Sequence, residues 1–207
     1  STAGSGRATT RVSRSSITFL GYPDRGLADL WTDHWSPSRP LASPFTGAAS
    51  SPYDRTASRT RPYCGRQLLE DIQAAIARDK PEVVLVTHPM DDHPDHAAAA
   101  AFTRLAIENV RRKSPSPSLM VELRYYLVHR GGWPVPQGDF AGAALMPPVN
   151  LNAAGTEWRT LPLSEGDLEA KRRALSAYGS QTSMMRRFLS SFVRGNEIVC
   201  VPANDDA

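Results

Sequence analysis

The sequence predicts a three-layer α/β fold built on a mostly parallel sheet. Segments with helical periodicity alternate with short, continuous apolar runs, the pattern of helices packed on a buried sheet. One such run, EVVLV at Glu82–Val86, is immediately followed by a dense group of histidines and aspartates. Ligands gather at that end of a strand in open α/β sheets.

The elements follow in order. Residues 1–16 are almost entirely Ser, Thr, Gly, Ala and Arg and are expected to be a disordered or non-native tail. The remainder, 17–207, is expected to form a single domain. Ile17–Gly21 (ITFLG) predicts a short buried strand ending in a Gly-Tyr-Pro-Asp turn. Arg25–Gly65 is irregular and rich in Pro, with Trp31 and Trp35 in it; so long a stretch is expected to have a task, such as roofing a binding site.

Leu68, Leu69, Ile72, Ala75 and Ile76 repeat at helical spacing and predict a helix over Arg66–Lys80. The β-branched run after Pro81 predicts a strand buried on both faces of a parallel sheet. Ala98, Ala101, Phe102, Leu105 and Ala106 predict a second helix, closed by Arg111, Arg112 and Lys113 where cations suit its dipole. SPSPS breaks the chain before a long strand over Leu119–His129. Trp158–Leu161 predicts a strand, and Ser164 with Asp167 predicts a capped helix start. Met185, Phe188, Leu189 and Phe192 predict a short helix, and EIVCVP a closing strand.

Composition narrows the function. With 207 residues, 41% hydrophobic and 22% charged, the chain fits one soluble globular domain, and no apolar run reaches bilayer length. Its net charge of +3 is uneven: Ser1–Cys64 holds eight Arg and four Asp but neither Lys nor Glu. Scattered Arg without interleaved aromatics reads as a solvated surface, so no nucleic-acid partner is expected. Cys64 and Cys200 form no CxxC pair and imply neither a zinc knuckle nor a disulfide framework. With no apolar signal segment in the sequence, a cytoplasmic location is expected.

Thr87–His96, THPMDDHPDH, holds three of the five histidines and three aspartates. Pro94 suits the first position of a helix, which makes His93 the cap and puts His96 in the first turn. The two imidazoles, three residues apart, can then face one cavity. Neutral imidazole favours zinc, and carboxylates can orient it or act as a base. Asp91, Asp92 and Asp95 would also offset the repulsion between a cation and the helix start. Other readings of the remaining histidines stay open: His88 either orients the loop or touches metal or substrate, and His34 is an ordinary packed or surface residue or a further ligand. His129 is a cleft residue or a structural one.

These segments resemble the PIG-L/LmbE-like family of zinc-dependent de-N-acetylases. The resemblance rests on FLGYPDRGLADLW, SPFTGAASSPY, KPEVVLVTHPMDDHPDHAAAAAF, YLVHRGGWP and KRRALSAYGSQ, in that order. It implies a Rossmann-like fold and zinc-dependent removal of an N-acetyl group from an amino-sugar-type small molecule. By residue it implies His96 as a zinc ligand, His93 as electrostatic catalyst or general acid, and Asp95 as the group that tunes or orients His93. His129, Asp92 and Trp31 are expected to contact substrate. The family's remaining ligands and its general-base Asp come from an AHPDDE-like segment that this sequence does not contain. The chain is therefore expected to be an N-terminally incomplete family member, and possible inactivity as it stands is part of that expectation.

Two other classes remain. A non-catalytic remnant with the same fold could bind sugars on Trp31, Trp35 and Trp133. DDHPDH also lies one residue from the HxHxDH of metallo-β-lactamase-like hydrolases, with Asp91 where the first His would stand.

Overall fold

The computed structural model describes residues 13–113, 121–151 and 156–202. The chain divides into two compact units between Asp71 and Ile72. Of the expected tail, residues 1–12 lie outside the described residues, and Arg14–Ser16 form a 3-10 turn.

In the first unit the only regular helix among the described residues, besides the start of α2, is α1, Leu27–Thr32. Leu30 of α1 is fully buried. Gly65 opens helix α2, Gly65–Asp79. A Cβ at Gly65 would lie 2.4 Å from the Leu30 carbonyl oxygen, so only glycine allows this approach. Asp71 accepts from the Tyr22 hydroxyl at 2.9 Å and the Gln67 amide at 3.2 Å, and it pairs with Arg61. The predicted strand at Ile17–Gly21 is corrected. Only an isolated bridge from Phe19 to Thr56 forms, and Ile17 and Phe19 are 50% and 67% exposed. Two backbone bonds to Ala57 and Ser58 hold the segment, too few to bury it.

The second unit holds the sheet: β1 Val83–Thr87, β2 Glu122–Tyr126, β3 Thr156–Pro162 and β4 Asn196–Pro202, in the order β1-β2-β4-β3. The α/β class holds, but the pairing differs from the mostly parallel expectation. β1 and β2 are parallel, from Val83↔Glu122 to Thr87↔Tyr126, while β2–β4 and β3–β4 are antiparallel. The connections account for this. One helix, α3 (Pro94–Lys113), separates β1 from β2 and returns the chain in the same direction. Two helices, α4 (Glu165–Ser176) and α5 (Gly179–Ser190), separate β3 from β4, and the second reverses the chain once more.

β1 was expected to be buried on both faces. It lies at an edge of the sheet, with Val83 37% and Leu85 57% exposed. α3 packs on β1 and buries Ala98, Phe102 and Ala106 from the predicted stripe. One core cluster joins Ala100 of α3, Tyr125 of β2 and Cys200 of β4. A second joins Leu127, Trp133, Leu145, Leu151 and Ile198, with Trp158 and Phe192 against it. Asn196 ties the second cluster to β4: its side-chain oxygen accepts from the Leu145 N–H at 2.7 Å, and its amide donates to the Leu145 carbonyl at 3.1 Å.

The long strand expected over Leu119–His129 is shorter. Residues 119–120 lie outside the described residues, and the strand stops at Tyr126 because the N–H groups of Val128 and His129 turn to the Asp91 carboxylate. The SPSPS break also lies outside the described residues. The cap on α4 forms as predicted: Asp167 N–H donates to Ser164 Oγ at 3.2 Å, and Ser164 N–H donates to Asp167 Oδ2 at 3.0 Å. In α5 the predicted apolar face is interrupted at Met185, which is non-helical (φ −126°, ψ 27°) and 38% exposed. No described helix is long and apolar enough to cross a membrane.

Candidate functional site

The site is built where β1 ends. Thr87 Oγ1 donates to the His96 carbonyl at 2.8 Å, and His88 N–H donates to the Tyr126 carbonyl at 2.7 Å. The loop between β1 and α3 is thereby fixed to both strands. The His93 carbonyl accepts from His96 N–H at 3.0 Å and Ala97 N–H at 3.2 Å. His93 is thus the cap of α3 and Pro94 its first residue, as the sequence predicts.

Three imidazoles meet here. The ring centroids of His93 and His96 are 4.8 Å apart, those of His96 and His129 5.3 Å, and those of His93 and His129 5.9 Å. His129 is stacked from its other side on Phe188 of α5, at 5.3 Å and 7°. His93 Nδ1 accepts from the Asp95 backbone N–H at 3.2 Å. His96 Nδ1 instead pairs with Asp91 Oδ1 at 3.0 Å. Asp95 is buried in the first turn of α3.

Asp92 ties the loop to the turn that follows β2. Its carboxylate accepts from Arg130 Nη1 at 3.1 Å and from Gly131 N–H at 2.6 Å, and its own N–H donates to the His129 carbonyl at 2.8 Å. These bonds hold the 129–131 turn against the loop that carries His93.

His88 is not part of the imidazole cluster. It is 5% exposed, stacked on Trp158 at 5.8 Å and 9°, and edge-on to Tyr125 at 5.6 Å. Its Nδ1 accepts from Met90 N–H at 3.0 Å, so it orients the loop. His34 and Trp31 belong to the first unit. His34 Nδ1 bonds the Arg39 carbonyl at 3.0 Å, and Trp31, 39% exposed, stands edge-on to Trp35 at 5.7 Å. Trp133, one of the three rings offered as a sugar platform, is only 8% exposed, and its Nε1–H donates to the Met146 carbonyl at 2.8 Å. It is a core residue.

Two imidazoles have depressed basicity. Burial holds His88 below the ordinary value, opposed by the Asp91 charge, and burial lowers His129 in the same way. The unfolded chain therefore takes up protons near pH 6.5, the ordinary imidazole value, that the folded chain refuses. Stability is full above that pH and is expected to fall as pH drops from about 7 to about 5. Urea midpoints measured across this range check it. His88→Phe, which keeps a ring against Trp158, should flatten the slope; an unchanged slope would show that His88 does not carry it.

Asp91 is a stronger acid than an ordinary carboxyl, for a different reason. Burial pushes its carboxyl up, but the backbone N–H groups of His129, His93 and Val128, with the adjacent His96 ring, hold it below the ordinary carboxylate value. The sequence reading missed this residue's central position. The available signal was an Asp two residues before a helix cap, the spacing of an Asx-turn, and His93 N–H does donate to Asp91 Oδ1 at 3.0 Å.

Among solved structures the chain is similar to the antimicrobial reagent A40926 pseudoaglycone deacetylase Dbv21, at 19% identity and a TM-score of 0.44. The similarity covers 70% of this chain and 61% of that one. No curated protein matches. The family model described as PIG-L, GlcNAc-PI de-N-acetylase, matches residues 5–107, a span that includes the whole β1–α3 loop with its HPDH segment. Over residues 5–107 the chain belongs to the PIG-L family.

Proposed function

We propose that this chain carries part of the active site of a zinc-dependent de-N-acetylase acting on an N-acetylated amino sugar or a similar small molecule. The observation that supports it is the opposite hydrogen bonding of the two HPDH imidazoles, which suits one to hold a metal and the other to donate a hydrogen bond. His96 Nδ1 faces a carboxylate, so its proton lies there and Nε2 keeps a lone pair. That donor fits zinc, and His96 would hold it. His93 Nδ1 accepts a backbone N–H, so its proton lies on Nε2.

Zinc, when bound, would polarise the amide carbonyl and make a water more acidic. Catalytic zinc usually takes three protein donors, and His96 is the one that the imidazole cluster offers. His93 Nε2–H is a donor for the oxygen that becomes negative as water adds to the acetyl carbon, and the proton that the water gives up would pass to the departing nitrogen. The C–N bond breaks, acetate leaves, and the proton remains on the amine. Asp95 orients His93 through its backbone N–H. His129, packed between His96 and Phe188, walls the site. Asp92 shapes its rim through Arg130 and Gly131, and Trp31 remains a proposed ring for a sugar face.

The test is acetate release. The protein at its full natural length, loaded with zinc, is incubated with N-acetylated amino sugars. Acetate and free amine should appear in equal amounts and stop appearing on chelation. Zinc-loaded protein that releases acetate from none of them would overturn the reading.

A further inference from the structure

Asp91 is the most heavily bonded side chain of the site. It is fully buried. Oδ1 accepts from His93 N–H at 3.0 Å and pairs with His96 Nδ1 at 3.0 Å. Oδ2 accepts from Val128 N–H at 2.9 Å and His129 N–H at 2.8 Å. An ionised carboxylate has about four acceptor positions, and here four donors meet them. None is left to bind a metal or accept a proton from water. This also removes the metallo-β-lactamase-like reading, in which position 91 would be a ligand.

We infer that Asp91 is a positioning residue that fixes the tautomer of His96. The inference rests on the reading of His96 as the metal ligand. Three of Asp91's four donors are backbone N–H groups and cannot change. The fourth partner is an imidazole, which could place its proton on either nitrogen, and a carboxylate leaves it one choice: Nδ1–H toward Asp91, lone pair on Nε2. Four residues along, the Asp95 N–H forces the other choice on His93. Two rings 4.8 Å apart are thereby held in opposite tautomers. Ligand and hydrogen-bond donor are separated before any metal arrives. The same carboxylate joins the end of β2 to the start of α3, so His129 and His96 are set by one group.

The experiment reads the tautomers directly, without metal. Protein labelled with ¹⁵N-histidine is examined at pH 7.5 by long-range ¹H–¹⁵N correlation, which distinguishes Nδ1–H from Nε2–H. His96 should show Nδ1–H and His93 Nε2–H. In Asp91→Asn the amide oxygen is expected to turn to the fixed N–H groups of Val128 and His129. The amide NH₂ then faces His96, whose proton should move to Nε2 while His93 is unchanged. Zinc affinity at full natural length should fall about 10–100-fold.

Nε2–H on His96 in the unsubstituted protein overturns the inference, whether or not the variant folds. So does a folded Asp91→Asn that keeps Nδ1–H, or one that switches tautomer with no loss of zinc affinity. Expected tautomers in a protein whose zinc does not involve His96 would support the positioning by Asp91 and overturn the proposed function instead. A purely structural Asp91 would change the urea midpoint and leave the tautomers alone.

Discussion

His93→Ala is expected to lower kcat for acetate release by about 10²–10³-fold, the usual loss for one donor to a developing oxyanion, with zinc per chain unchanged. His96→Ala is expected to lose both zinc and activity. The contrast follows from hydrogen bonds rather than from the order of residues in HPDH. Both imidazoles sit at the start of α3 and their centroids are 4.8 Å apart, so proximity alone would not separate them. Their Nδ1 partners do: a backbone N–H for His93, a carboxylate for His96. Elemental analysis and acetate release on the same two preparations, at full natural length, check it. Loss of zinc in His93→Ala with retention in His96→Ala would reverse the roles. Equal loss of activity in both with zinc retained would mean that the metal is held elsewhere.

The imidazole pair was legible in the sequence because everything that makes it is local. A strand end, a proline at the first helical position and two histidines three residues apart follow from spacing and turn chemistry. The cap at Ser164 was legible for the same reason, since Asp167 lies one turn away. What local spacing could not supply was long-range. Asp91 reaches residues 37 and 38 positions later, and nothing near it names Val128 or His129 as partners. His129 could be placed at a strand end but not against Phe188, 59 positions on, until α5 was folded back. The direction of β4 failed similarly. EIVCVP reads as a strand in either sense, and only the extra reversal by α5 makes it antiparallel. β1 was misread because a β-branched run looks the same at a covered position and at an edge.

Trp133 shows how such an ambiguity is resolved by energy, and its replacement by alanine is expected to cost about 3–5 kcal/mol. An indole in a cleft and an indole in a core are indistinguishable in the string GGWP. In the fold the ring lies with Leu127, Leu145, Leu151 and Ile198, edge-to-face with Phe192 at 5.5 Å and 73°. Removing it leaves a cavity that these side chains can only partly fill, and its bond to the Met146 carbonyl is lost as well. Against a usual total of about 5–15 kcal/mol, that is a large share of the stability. For a chain of this length each kcal/mol corresponds to about 2–4 °C, so Tm should fall by about 6–20 °C. Urea denaturation of Trp133→Ala and Trp133→Phe measures it, with phenylalanine expected to recover much of the loss because a ring still meets Phe192. A Trp133→Ala protein of unchanged midpoint that no longer binds sugar would return Trp133 to the surface and favour the carbohydrate-binding reading. Lost stability with sugar binding intact would leave the ring in the core, where Ile198 of β4 and Leu127 at the end of β2 also pack.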